Sequence, residues 1–434
     1  SSSAASLPPR AAVMTKDHTT LQADEGAFAP YLHDLSKRER DMDGAEWAKG
    51  AEVLRDPFEP DKFMRNNSGN RKAFKERDYT WSDRSRRLRG FGIGYYPFYN
   101  RNKRCIAVDI KLEKGRDIIH KLVGETDVIV ENFGPGTMDR LGYGFDQMKE
   151  VNPQLIYASL KGFLSGPYEK RHAMDEVVQM MGGLAYMTGL PGQPTRAGAS
   201  IIDITGGMFA VIGIITALYE REQTGQGKFL KSALFEACAF LMGQHMAYAS
   251  LSDEPIPPMP ARVSAWSVYR IFDTKDDEKV FVGLISDKHW GRFCLVFGRA
   301  DLSSDQRLTT NNDRITEREW LLPDLEKMMA GLTKKEIIDR CQEAGIPFAP
   351  IATPEDLFDD PQLNQGAGLL ETTFPDGTQT KMPRTPIEYG KSDFNLRLNP
   401  PDVIGQQTQE ILSGLGYSDD EINLLVKDKI VVTG

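Results

Sequence analysis

The sequence predicts a large domain built on a parallel α/β sheet, followed by a smaller α+β domain. Three observations carry that prediction. Apolar strand-like runs alternate with helical patterns between residues 105 and 160, as in successive βαβ units. A stiff, extended stretch, Pro255-Ile256-Pro257-Pro258-Met259-Pro260, then interrupts the chain. Beyond it, two strand-like runs flank Asp276-Asp277 and lead into helices.

Residues 1–94 read as a divergent N-terminal segment, polar and charge-rich, ending near Arg84-Ser85-Arg86-Arg87-Leu88-Arg89. Helical patterning there is confined to residues 45–54. The first ten residues have no apolar core, unlike a secretory signal, and Met14 is a candidate natural start. The large domain is expected over residues 95–250, with strands at 105–110, 127–131 and 155–160 and helices at 115–123 and 145–150. Such sheets bind ligands beyond the carboxyl ends of their strands, here the loops at Asn132 and Lys161. An apolar helix is expected over 203–222. Its most apolar part, 206–218, is too short to span a bilayer and reads as buried. Thr224-Gly225-Gln226-Gly227 ends it, a strand follows at 228–233, and a long apolar helix runs to about residue 250. The linker is placed at 251–266 and the small domain at 267–355, with strands at 267–272 and 279–285. Residues 356–434 supply a second linker, a strand at 368–373, and two helices returning to the large domain.

Composition excludes several function classes. The net charge of −9 gives no general attraction to nucleic acid or anionic membrane. The four cysteines (Cys105, Cys238, Cys294, Cys341) are scattered without a CxxC pair, which fits a reduced, cytoplasmic protein. No histidine spacing suggests a metal. A Walker loop, a GxGxxG turn and a GxSxG elbow are all missing, so ATP, NAD and serine-hydrolase chemistry are unsupported.

Three segments could carry chemistry. Asp203 stands between an apolar approach and a helix start, in Ile201-Ile202-Asp203-Ile204-Thr205-Gly206-Gly207. It either caps that helix, worth about 1 kcal/mol, or is a carboxylate kept ionised by the helix dipole and able to attack a carbonyl. Gly206 and Gly207 are poor helix formers, and their pairing implies a close approach to the backbone. Asp175 and Glu176 read as a solvated, acidic first helical turn, with His172 at the surface. Asn100-Arg101-Asn102-Lys103-Arg104 is either a solvated turn or an anion site for a nucleotide phosphate.

Taken in order, these segments resemble family III CoA-transferases, which include formyl-CoA:oxalate and crotonobetainyl-CoA transferases and share a fold with the α-methylacyl-CoA racemases. The resemblance runs through Asn100 to Arg104, Glu131-Asn132-Phe133-Gly134-Pro135-Gly136, Met138-Asp139-Arg140-Leu141-Gly142 and Asn152-Pro153. It continues at Lys161-Gly162, Gly166-Pro167-Tyr168, Asp175 to Gln179, Asp203 to Gly207 and Arg221 to Gly227. It resumes at Gly345-Ile346-Pro347-Phe348-Ala349-Pro350, Gly405-Gln406 and Leu415-Gly416-Tyr417.

The resemblance implies a CoA-transferase that moves CoA from an acyl-CoA to an acceptor carboxylic acid through an aspartyl mixed anhydride. Asp203 is implied as nucleophile and Asp175 as a supporting group. Asn132, Phe133, Arg140 and Arg104 are implied near the CoA, with Val108 and Lys111 at its adenine end. Gly206 and Gly207 would line the substrate, and Arg262 is a candidate carboxylate clamp. A Rossmann-like large domain and an interlocked, ring-like homodimer are also implied, with a heteromer of related subunits as the alternative. No metal, NAD, ATP, nucleic acid or membrane is implied. In the racemases a proton-accepting His precedes the residue matching Asp175; Met174 stands there instead. Two family features are not found: the N-terminal block that approaches CoA, and the glycine run of the oxalate enzyme, whose place is taken by Pro260-Ala261-Arg262-Val263-Ser264-Ala265-Trp266.

Overall fold

A computed structural model of the chain describes residues 10–14, 20–25, 90–262, 264–388 and 396–434. The helical patterning at 45–54 and the basic run at 84–89 lie outside the described residues. The chain divides into two compact units, Ser1–Pro260 with Gly368–Gly434, and Ala261–Ala367.

In the first unit the strands are β1 (Arg10–Met14), β2 (Thr20–Glu25), β3 (Arg104–Val108), β4 (Val128–Glu131), β5 (Ile156–Lys161) and β6 (Lys228–Ala233). Helices α1 (Glu113–Gly124), α2 (Thr137–Leu141) and α3 (Phe145–Val151) lie between β3 and β5. Next come α4 (Asp175–Met181) and α5 (Ile201–Thr224), and beyond β6 stand α6 (Leu234–Leu241) and α7 (Gly243–Leu251). The second unit pairs β7 (Val268–Asp273), β8 (Lys279–Leu284) and β9 (Phe348–Pro350) antiparallel. Its helices α8 (Asp287–Val296), α9 (Arg318–Met329) and α10 (Lys334–Ala344) supply the other side of a core containing Phe272, Trp290, Phe293, Leu325 and Cys341. The chain then returns to the first unit as the hairpin β10 (Leu369–Thr373) and β11 (Gln379–Pro383), α11 (Thr408–Gly414), α12 (Asp419–Lys427) and β12 (Val431–Val432).

The main sheet runs β12-β3-β2-β1-β4-β5-β6. Strands β1, β4, β5 and β6 are mutually parallel, whereas β2 and β12 run against their neighbours. All four residues of β4 are buried, as expected of a strand covered on both faces. Residues 10–14 and 20–25, where the sequence offers only a short apolar run and a polar one, insert β1 and β2 into the middle of this sheet. Two five- or six-residue strands in a polar neighbourhood carry too little periodicity to be read alone.

The long apolar segment departs from expectation. Helix α5 has 24 residues and a mean hydropathy of 2.1 over its most apolar window, long and apolar enough to cross a membrane on those criteria alone. One face packs on β5, β6 and α6. The opposite face carries Met208, Ile212, Ile215 and Tyr219, spaced four, three and four residues apart and each more than half exposed. The helix is therefore buried on one side only. It ends as predicted, on Gly225 at φ 66°, whose N–H is donated to the Arg221 carbonyl. The long helix expected after β6 is broken in two at Met242.

Candidate active site

Ser200 is the N-cap of α5, and Asp203 lies in its first turn, partly exposed. Asp203 is not the cap. The carboxylate that satisfies the opening N–H groups belongs to Asp175, whose Oδ2 accepts from Ile202 at 2.9 Å and from Asp203 at 3.2 Å. Its Oδ1 accepts from Gln179 Nε2 at 2.6 Å and from an Arg196 guanidinium nitrogen at 3.5 Å. Gln179 in turn accepts the Ala197 N–H at 2.8 Å. Arg196 donates to the carbonyls of Ala197 and Ala199 at 3.1 and 3.3 Å.

Asp175 is 0 % exposed, which corrects the expectation of a solvated acidic turn. Glu176 does face solvent; Asp175, one residue earlier on α4, turns inward toward α5. The sequence reading had no role for Arg196, because an arginine in a glycine- and proline-containing loop carries no local signal.

A second buried carboxylate organises the carboxyl ends of β4 and β5. Glu131 accepts from Lys161 Nζ at 2.7 and 2.8 Å and from Ser159 Oγ at 2.5 Å. It also accepts the Phe133 N–H at 2.8 Å, while Lys161 donates to the Phe133 carbonyl at 2.6 Å. Phe133 is thus held from both of its backbone polar groups. Burial pushes the Lys161 ammonium below its usual pKa, against the pull of Glu131. At Gly162, directly after β5, a Cβ would stand 2.1 Å from that of Ala173. Only glycine lets β5 pass so close to the segment that leads into Asp175.

The remaining expected residues scatter. Arg140 is exposed and folds back over its own turn, donating to Thr137 Oγ1 at 2.9 Å; no carboxylate pairs with it among the described residues. Asn132 is half-buried beside Phe133, and Lys111 is exposed. The Val108 side chain, 1 % exposed, belongs to the hydrophobic core. Arg104 pairs with Glu410 at 3.0 Å. Lys103 and Asn100 are buried and bonded to each other, so the Asn100–Arg104 turn is not a solvated one. Gly206 and Gly207 are both buried. At Gly206 the close approach comes from Leu234 of α6, whose Cδ2 would lie 3.0 Å from an added Cβ. Arg262 is exposed and stands near the start of the second unit.

Comparison with known proteins decides what this architecture belongs to. Residues 79–408 match the family described as CoA-transferase family III. The chain belongs to that family. It is 35% identical over 315 residues to an acetyl-CoA:oxalate CoA-transferase of Acetobacter aceti, covering 71% of this chain and 79% of that one. It is 30% identical over 356 residues to a formyl-CoA:oxalate CoA-transferase of Streptomyces avermitilis, covering 78% and 86%. The crystal structure of a CAIB/BAIF family protein from Brucella suis superposes with a TM-score of 0.68 at 29% identity, over 77% of this chain and 89% of that one. As a family III CoA-transferase the protein is an enzyme whose substrates are CoA thioesters and carboxylic acids.

Proposed function

We propose that Asp203 is the nucleophile of this CoA-transferase and that the reaction passes through an aspartyl mixed anhydride. The observation that carries the reading is its placement: a carboxylate in the first turn of a 24-residue helix, partly exposed, with its backbone N–H fixed by a buried group. The positive end of the helix favours the ionised form. An Asp203 oxygen adds to the donor thioester carbon, the C–S bond breaks, and CoA leaves as thiolate. The thiolate then attacks the aspartyl carbonyl, which releases the donor acid and leaves an aspartyl thioester. The acceptor carboxylate displaces the thiolate from it, and the thiolate attacks the acceptor carbonyl, freeing Asp203. No step consumes or releases a proton.

Racemisation, by contrast, needs a proton acceptor on each side of the α-carbon. Met174 offers none, and His172 is exposed. Arg140, with Asn132 and Phe133 on the preceding loop, is assigned to the CoA; the exposed guanidinium suits a phosphate. Lys111 and Arg104 are assigned to the nucleotide end, Arg104 only by giving up Glu410. Oxalate is the first acceptor to test, since the two relatives named above use it with formyl-CoA and acetyl-CoA.

Incubation with acetyl-CoA or formyl-CoA, trapping with hydroxylamine and peptide mapping is expected to mark Asp203. The Asp203→Ala variant is expected to lose at least ~10³-fold in transfer rate. A fully active Asp203→Ala protein would end this reading. The apolar stripe on α5, with Phe240, Met246 and Leu251 also exposed beyond it, supports association with a second copy. Light scattering is expected to return twice the 48.6 kDa chain mass; a monomer mass would remove that support.

A further inference from the structure

We propose that Asp175, with Gln179 and Arg196, is a positioning group, a cap supplied from outside the helix that fixes the height and aim of Asp203 and itself touches no substrate. The inference deepens the nucleophile reading and rests on it. Two observations support it. Asp175 and Gln179 are both 0 % exposed, so a bound thioester cannot reach either. The Asp175 carboxylate already receives four donors, two on each oxygen, which matches its full lone-pair capacity. It has no site left from which to accept a proton, and transfer between thioester and carboxylate requires none.

Local structure gives the reason for such a cap. The first N–H groups of a helix have no intrahelical partner, and Ser200 makes no side-chain cap bond of its own. Gly206 and Gly207 weaken the same end of the helix further. A carboxylate brought from α4 satisfies Ile202 and Asp203 directly. Its own orientation is set by Gln179, whose Oε1 is committed to the Ala197 N–H and whose Nε2 must therefore face Asp175.

That donor and acceptor order permits a decisive test in the full-length enzyme with acetyl-CoA as probe. Asp175→Asn keeps an acceptor for the two backbone N–H groups but presents an amide donor to the Gln179 donor. Single-turnover acylation of Asp203 is expected to slow by about ten-fold, as small misplacements of a nucleophile do. kcat should fall while KM for acetyl-CoA holds. Amide exchange at Ile202 and Asp203 is expected to quicken by about five-fold, the size of one lost cap. Adding Gln179→Glu supplies an acceptor for the new amide and retains one for Ala197. The double variant should recover both measurements to within about three-fold of wild type, as matched pairs do in a coupled cycle.

Wild-type acylation by Asp175→Asn alone would overturn the proposal. So would a double variant that stays slow, since a carboxylate acting on substrate is not restored by moving the charge to Gln179. Arg196→Lys provides an independent arm, and exchange at residues 201–203 must quicken there as well. If the wild-type enzyme shows no adduct at Asp203, the nucleophile reading fails, while the exchange measurements still decide the cap.

Discussion

Glu131 and Asp175 are both almost wholly buried carboxylates, 3 % and 0 % exposed, and each grips the backbone of one functional segment. They differ in how the buried charge is balanced. Glu131 takes two contacts from one ammonium, Lys161, at 2.7 and 2.8 Å. Asp175 has its cation, Arg196, at a marginal 3.5 Å, and draws on a side-chain amide and two helix N–H groups instead. One site is an ion pair; the other is a helix terminus. A point charge suits a loop that must be tied at one spot, the Phe133 peptide. A spread of neutral donors suits a helix end, where the partial positive charge is itself distributed over several N–H groups.

The largest expected effect follows from removing the cation of each. Lys161→Met leaves Glu131 buried and uncompensated, and denaturant unfolding should show a loss of about 3–5 kcal/mol. Arg196→Met removes two long ionic contacts, to Asp175 at 3.5 Å and to Glu176 at 3.8 Å, and two bonds to carbonyls, and is expected to cost roughly 1–2 kcal/mol. Equal losses would mean that the two carboxylates are balanced in the same way. Pairing Lys161→Met with Glu131→Leu sharpens it. An apolar pair of similar volume should regain most of the stability, yet KM for acyl-CoA should remain raised, because Phe133 is no longer tied. If KM recovers along with stability, the ion pair holds the fold and not the loop.

How far the sequence disclosed these two sites depends on the range of the contacts. Strands β4 and β5, and helices α1 and α5, were legible from local periodicity, and their ends fell within a residue or two of the expected ones. Asp203 is legible as a helix-start carboxylate, either cap or nucleophile; the cap itself arrives from 28 residues away. Nothing in Asp175-Glu176 distinguishes the inward residue from the outward one, since both are acidic and adjacent. Several motif residues are structural. Asn152 bonds the carbonyls of Val123 and Thr126, and Arg221 pairs with Asp127 at 2.7 Å. An ordered series of motifs identifies a family without saying which members touch substrate. The insertion of β1 and β2 was illegible for the opposite reason, because the strands that flank the pair in the sheet, β4 and β3, lie more than 80 residues further along the chain.

The smallest effect separates the two sites by pH. Burial, the dominant influence, holds the Lys161 pKa below its ordinary value of 10.5. As pH rises through the lowered value, the folded protein releases a proton that the unfolded chain keeps until about 10.5. The unfolded state then binds more protons, so this group's contribution to stability increases with pH over that window. The tether moves the other way. A neutral amine has two donors where the ammonium has three, and Lys161 serves three acceptors: both Glu131 oxygens and the Phe133 carbonyl. Over the same window KM for acyl-CoA should climb modestly while Lys161 adds nothing to alkaline unfolding. Exchange at Ile202 and Asp203, corrected for its intrinsic base catalysis, should stay level. A KM that is flat with pH, or that rises in step with exchange at α5, would show that the loop and the nucleophile helix share one support rather than two.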